Sequence, residues 1–152
     1  MTVAPPEAGF SADFPATPES SSDSSKPRVH TRFWLNKSGL FVLVGVTDYD
    51  AHINTELELL LDVKNFISAD QGSTLKSQKR LTFSKAPDGP LPAAEFSFTD
   101  RAGNGESLIV VSGDRTYQVV VRSPFEHDDK VGMARVLNSF RISQPSRRWQ
   151  GD

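Results

Sequence analysis

Two stretches, residues 28–49 and 105–124, constrain this chain most, because each reads as a pair of strands around a tight turn. In "RVHTRFWLNKSGLFVLVGVTDY", Val29, Thr31, Phe33 and Leu35 fall on one face of a strand, and "NKSG" supplies the turn. The return strand, Leu40 to Val46, is almost continuously apolar, which predicts a central strand covered on both sides. "GESLIVVSGDRTYQVVVRSP" repeats the pattern around "SGDR". Between the hairpins, "LKSQKRLTFSK" (75–85) places Leu75, Leu81 and Phe83 on one side, and "LPAAEFSFTD" (91–100) sets Ala94, Phe96 and Phe98 against Glu95, Ser97 and Thr99. "GNGES" (103–107) reads as a turn between strands.

Two helices interrupt this β pattern. "NTELELLLDVKNFISADQG" offers Thr55 and Glu58 as a capping box, a broad apolar face of Leu57, Leu60, Leu61, Phe66 and Ile67, and Gly72 as a stop. The second helix follows "SPFEHDD", with Met133, Val136, Leu137 and Phe140 as its stripe. Its start is read either as Ser123 capping with Pro124 at the first helical position, or slightly later, near Asp128. A further short strand is expected at "GFSADFP" (9–15), where Phe10, Ala12 and Phe14 alternate with polar residues. Residues 1–8 read as a flexible lead-in, 16–27 as a mobile Ser-rich loop, and 144–152 as a polar tail. Strand, hairpin, helix, four-strand meander and helix add up to one α+β domain over residues 9–143. The apolar strands need both faces covered, so the expected form is an α/β/α sandwich with a mostly antiparallel sheet of about six to seven strands and two main helices.

Composition removes several functional classes. The 152 residues carry 17 basic and 19 acidic side chains, a net charge of −2 that argues against non-specific nucleic-acid binding. No cysteine is present, which excludes disulfides, thiol catalysis and Cys-ligated zinc. No apolar run approaches the ~20 residues that cross a bilayer. "MTVAPPEAGF" has neither a basic region nor an apolar segment and is no signal peptide; Met1 is either a native start or a start placed where a signal was trimmed. A periplasmic or envelope location goes with the second case and a cytoplasmic one with the first.

Reactive motifs are scarce. Glu126, His127, Asp128 and Asp129 begin a helix, where acids stabilise exposed N–H groups, and a metal would need more ligands than His30 and His52 supply. "DYDAHINTELEL" has Ile53 and Leu59 where a calcium loop requires Gly and Glu. There is no G-x-S-x-G elbow, no phosphate loop and no dinucleotide fingerprint. No catalytic residue, metal ligand or cofactor is assigned. An enzyme reading survives as a hydrolase or metal-dependent activity using His52 or His127 with nearby carboxylates. A carrier reading survives as an apolar cleft lined by some of the ten Phe. The leading expectation is partner binding: Trp34 faces away from Phe33 and Leu35, its own face carries His30 and Arg32, and the basic strand with Lys76, Lys79 and Arg80 is expected beside them. The partner is another protein or an envelope component, met by a monomer.

Three segments in order carry a family resemblance. "GFSADFP" resembles the first strand of the PsbP-like fold, "GDRTYQVVVRSP" its hairpin and strand before the last helix, and "VLNSFRI" its closing helix and terminal strand. This family embraces the extrinsic subunit of photosystem II, the Ran-binding Mog proteins and many small bacterial exported proteins. The resemblance covers residues 9–143 and implies an α/β/α sandwich of the short bacterial type, acting as a non-catalytic accessory or partner-binding domain. It brings no catalytic residue with it.

Overall fold

Alternation of apolar residues resolves into ten strands and two α-helices in a computed structural model that describes residues 1–25, 28–70 and 72–151. In chain order the elements are β1 (Thr2–Val3), β2 (Phe10–Asp13), β3 (Glu19–Ser25), β4 (Arg28–Lys37), β5 (Leu40–Tyr49), α1 (Thr55–Ala69), β6 (Thr74–Phe83), β7 (Leu91–Thr99), β8 (Asn104–Ser112), β9 (Arg115–Ser123), α2 (Lys130–Ser139) and β10 (Arg141–Ile142). Seven strands form one antiparallel sheet in the order β3-β4-β5-β9-β8-β7-β6, and β1-β2-β10 form a small second sheet. The fold class is therefore α+β, as the pattern predicts.

Both predicted hairpins form. β4 and β5 turn through Ser38 and Gly39, which both have positive φ (53° and 85°), the geometry of the two-residue turn that matches strand twist. The meander β6-β7-β8-β9 joins the first hairpin because β5 pairs with β9, Val44 opposite Val119. Each sheet face has its own core. On one, Val42, Val44, Tyr117 and Val119 pack with Phe10, Phe14, the α2 residues Met133 and Val136, and Phe140 just after the helix. On the other, Phe96, Phe98, Ile109 and Val111 pack with Leu59 and Val63 of α1. Each fully buried Phe in these cores contributes about 2–3 kcal/mol by leaving water.

Several local expectations are corrected. Residues 1–8 are no loose lead-in: Val3 pairs with Ala12, and Ala8 is buried. The Ser-rich segment read as a mobile loop contains a strand, β3, pairing residue for residue with β4 from Glu19–Trp34 to Ser25–Arg28; Lys26 and Pro27 lie outside the described residues. Backbone pairing with a long neighbour supplies the order that its polar side chains do not. α1 is capped by Asn54, whose side chain accepts from the Leu57 N–H at 3.0 Å, so Thr55 and Glu58 form no capping box. Its buried side is Leu59 and Val63, while Leu57 and Leu60 are 51% and 62% exposed. Phe66 and Ile67 of the predicted stripe do pack against this core, so the expectation is corrected only in the first two turns, where Leu59 takes the place of Leu57 and Leu60.

In β6 the register shifts between Leu75 and Ser77, and this bulge sends Leu75 to the α1 core and Leu81 to the other. The last helix takes the later of its two starts: Asp129 caps α2 by accepting from Gly132 N–H at 2.9 Å, after a 3-10 turn at Phe125–His127. The polar tail is docked, with Asp114 N–H donating to Arg147 O at 2.7 Å and Trp149 N–H to Asp114 Oδ2 at 2.8 Å.

Candidate functional site

The two sheet faces are not covered alike. α1 packs on β7 and β8 and its core takes in Val120 of β9, so the same face of β3, β4 and β5 lies more open beside it. Strand β5 shows the asymmetry: Val42, Val44 and Val46 are buried on the α2 side, whereas on the other Phe41, Leu43 and Tyr49 are only half-buried, and Gly45 and Thr47 are buried beneath the His30 ring. The expectation of full cover on both sides is corrected here. A 15-residue helix is too narrow to span a seven-stranded sheet, and among the described residues no second helix covers this face.

The open half is floored by small and polar groups in register. Gly45 stands opposite Gln118, and Thr47 opposite Thr116. β4 adds Arg28, His30 and Arg32, and α1 adds Asp62, Asn65 and Phe66 as a wall, enclosing a groove of about 450 Å³. His30 Nδ1 lies 2.6 Å from Thr47 Oγ1, and its ring occupies the space above Gly45, where an added Cβ would come within 3.2 Å of Cε1. Burial, reinforced by Arg32 and Arg28, lowers the His30 pKa against the opposing pull of Asp23. The shift favours the uncharged imidazole.

At the groove's inner end the Tyr49 hydroxyl donates to Glu58 Oε2 at 3.0 Å. Asp62 stands one helical turn from Glu58. Burial, a shared hydrogen bond with Glu58 and that residue's charge push the Asp62 carboxyl up to about 8, although Arg28 opposes this. Burial likewise raises Tyr49, with Asp62 and Glu58 adding to the effect. Near neutral pH the Asp62 carboxyl keeps its proton, and the tyrosine stays protonated.

The predicted partner surface divides. His30, Arg32 and Trp34 do share the open face of β4, and Trp34 is half-buried between Glu19 and Leu43 in the register. Lys76, Lys79 and Arg80 are not beside them. β6 is the far edge, five strand spacings from β4, or roughly 24 Å. These basic residues also separate among themselves. Arg80 binds Glu56 of α1, Lys79 pairs with Glu95 at 3.2 Å, and Lys76 borders Met133 and Ala134 of α2. A meander between the two strands in sequence pushes them to opposite edges in space.

His52 and His127 lie beyond opposite ends of β9. His52 Nδ1 sits 2.8 Å from the buried Asp114 carboxylate, which also accepts from Ile53 N–H at 3.1 Å. His127 is exposed in the 3-10 turn. Among the described residues, no group of three or more His, Cys, Asp or Glu is placed to hold a metal ion. Phe10, Phe14, Phe96, Phe98 and Phe140 are fully buried in the two cores. No described helix is long and apolar enough to cross a membrane.

Sequence reasoning missed Gly45, Thr47, Thr116, Gln118 and Asp62. The available signal was the pair "VGVT" and "RTYQV", in which the strands' apolar runs are broken at alternate positions on one face only. A covered face has no use for that interruption. Comparison with known proteins finds no family model that matches the chain and no match among curated proteins.

Proposed function

We propose that this chain is a non-catalytic accessory domain that binds a partner protein or envelope component, built as an α/β/α sandwich of the PsbP-like, short bacterial type and belonging to an exported or envelope protein. Element order supports the fold reading: a short first strand, a long hairpin, a helix, a meander and a closing helix with terminal strand. One observation carries the binding reading. Half of one sheet face is open and presents the half-buried Trp34 beside Arg32, with β3 lying fully exposed outside them. An aromatic anchor next to an unpaired guanidinium is the composition of a binding hot spot; among the described residues Arg32 has no ion pair.

The test is site-specific photocrosslinking in native extract, with the probe at Ser21 on the open face or at Glu126 near α2. A partner captured from Ser21 alone, rebound when purified, and lost with Trp34→Ala at unchanged melting temperature supports the reading. Equal capture from Glu126 overturns it. So does substrate turnover in a hydrolase screen that disappears with His52→Ala or His127→Ala.

A further inference from the structure

We propose that the free edge of β3 is a strand-addition site for an extended partner segment carrying basic, acidic and basic side chains at alternate positions. This rests on the partner-binding reading and specifies what the partner brings.

The two edges of the large sheet differ in how they are protected. β6 carries a bulge and the cations Lys76, Lys79 and Arg80, which are devices that discourage edge pairing. β3 has none of these: its pairing with β4 runs without a shift over all seven residues, every residue is exposed, and it contains neither Lys, Arg nor Pro. Among the described residues no strand lies beside its outer backbone groups, since β3 ends the sheet order. Five of its seven side chains are Ser, small enough for another strand to approach at the usual spacing of about 4.8 Å.

Charge sets the pattern of the added strand. On the open face β3 shows Glu19, Ser21 and Asp23, with Trp34, Arg32 and His30 behind them in register. Cations opposite Glu19 and Asp23 meet carboxylates directly. An acid opposite Ser21 meets no side chain of comparable length on β3, and the Arg32 guanidinium reaches it across the serine. His30, turned inward onto Thr47 at 2.6 Å, does not compete for the middle position. Main-chain hydrogen bonds supply affinity in such additions, and the alternate side chains supply selection.

The experiment uses the full chain, ¹⁵N-labelled, titrated with the heptapeptide TKVEVKT, its charge-reversed form TEVKVET, and TKVEVKT methylated on alternate backbone nitrogens. TKVEVKT is expected to shift and protect the amides of Glu19–Ser25. TEVKVET binds at least ~10-fold more weakly, because it sets like charges opposite each other, and the methylated peptide loses binding. Arg32→Ser weakens TKVEVKT about threefold, the size of one exposed ion pair. Equal binding of the two charge patterns, shifts centred on β6 or α1, or no shift at millimolar peptide overturns the proposal. If Ser21 still captures a partner while TKVEVKT fails to bind, strand addition falls and partner binding stands.

Discussion

Arg115 grips Asp48 with two prongs, Nε to Oδ1 at 2.6 Å and Nη2 to Oδ2 at 3.1 Å. The same guanidinium donates to Ala8 O at 3.1 Å, to Tyr117 Oη at 3.2 Å and to Gln144 Oε1 at 3.0 Å. One side chain, 9% exposed, thus ties the N-terminal segment and the tail to the centre of the sheet. This explains why two segments that look loose in sequence are ordered.

Removing that fork leaves the half-buried Asp48 with Arg147 alone, whose Nε lies 3.5 Å away. Arg115→Ala is expected to lower unfolding free energy by about 2 kcal/mol, because Asp48 keeps only the weaker of its two cations and the Ala8, Tyr117 and Gln144 acceptors lose their donor. Arg115→Lys recovers little, since an ammonium cannot reproduce the planar fork. Urea denaturation measures both, and a loss below ~1 kcal/mol for the alanine variant contradicts the assignment.

Asp114 predicts the acid limb of stability. Burial works against its charge, but donation from Trp149 N–H, His52 and Ile53 N–H outweighs this and holds the carboxyl below the ordinary aspartate value. A depressed carboxyl contributes stability that is complete above its unfolded pKa and is lost as pH falls through the folded one. Melting temperature therefore drops below about pH 4, and Asp114→Asn shows a shallower drop from a lower starting point. Equal slopes for the two proteins refute the argument.

Asp62 acts with the opposite sign. Its carboxyl, raised to about 8 chiefly by burial, keeps a proton in the native state that the unfolded chain releases near pH 4. Between those values the folded protein binds more protons, so stability falls as pH rises. Asp62→Asn removes the titration. Compared with the parent, it is expected to melt at about the same temperature at pH 4 and higher at pH 8 to 9. Differential scanning fluorimetry across that range decides it.

How much was legible follows from what each residue encodes locally. Alternation in 28–49 and 105–124 specified both hairpins, since a strand's faces follow from its own period of two. Strand order did not follow from any local pattern: nothing in Lys79 or Arg80 says that β6 will end at the edge opposite β4. β3 was missed because "ESSSDSS" has no apolar anchor, and its order comes from its partner. α1 is legible in its last turns, where Phe66 and Ile67 pack as expected, and not in its first, because Leu57 and Leu60 look like core residues and are left in water. The groove was missed for the same reason, being a consequence of incomplete cover.

Gly105 is a packing requirement with no sequence signature. It faces Phe98 across the β7–β8 ladder, and a Cβ there would stand 2.2 Å from the ring's Cζ. Phe98 has no room to withdraw, with Phe66 at 4.9 Å and Phe96 at 6.0 Å between ring centroids. Gly105→Ala is expected to cost about 1–3 kcal/mol, the usual range for overpacking a filled core. Chemical denaturation tests this, and Gly89→Ala supplies a contrast, because an added Cβ there meets nothing within 4 Å and any cost comes from its φ of +82° alone.

Trp34 separates core from surface on the open face. Phe33 and Leu35, its neighbours in sequence, pack against the α2-side core, whereas Trp34 points the other way, where α1 does not reach. Its cross-strand partners are Glu19 of an exposed strand and the half-buried Leu43. Truncation there opens no enclosed cavity, so the cost is only the apolar contact with Leu43 and the strand edge. Trp34→Ala is expected to reduce stability by about 1 kcal/mol, well under the 3–5 kcal/mol typical of a buried tryptophan. Phe33→Ala, facing the core beside Phe10 at 5.4 Å between ring centroids, is expected to cost more. If Trp34→Ala proves the more damaging of the two in parallel urea titrations, the indole belongs to the core and the open face loses its aromatic anchor. If the order holds, tryptophan fluorescence of Trp149→Phe isolates Trp34 as a reporter, and a shift in its emission on adding the partner captured at Ser21 reads binding at this face directly.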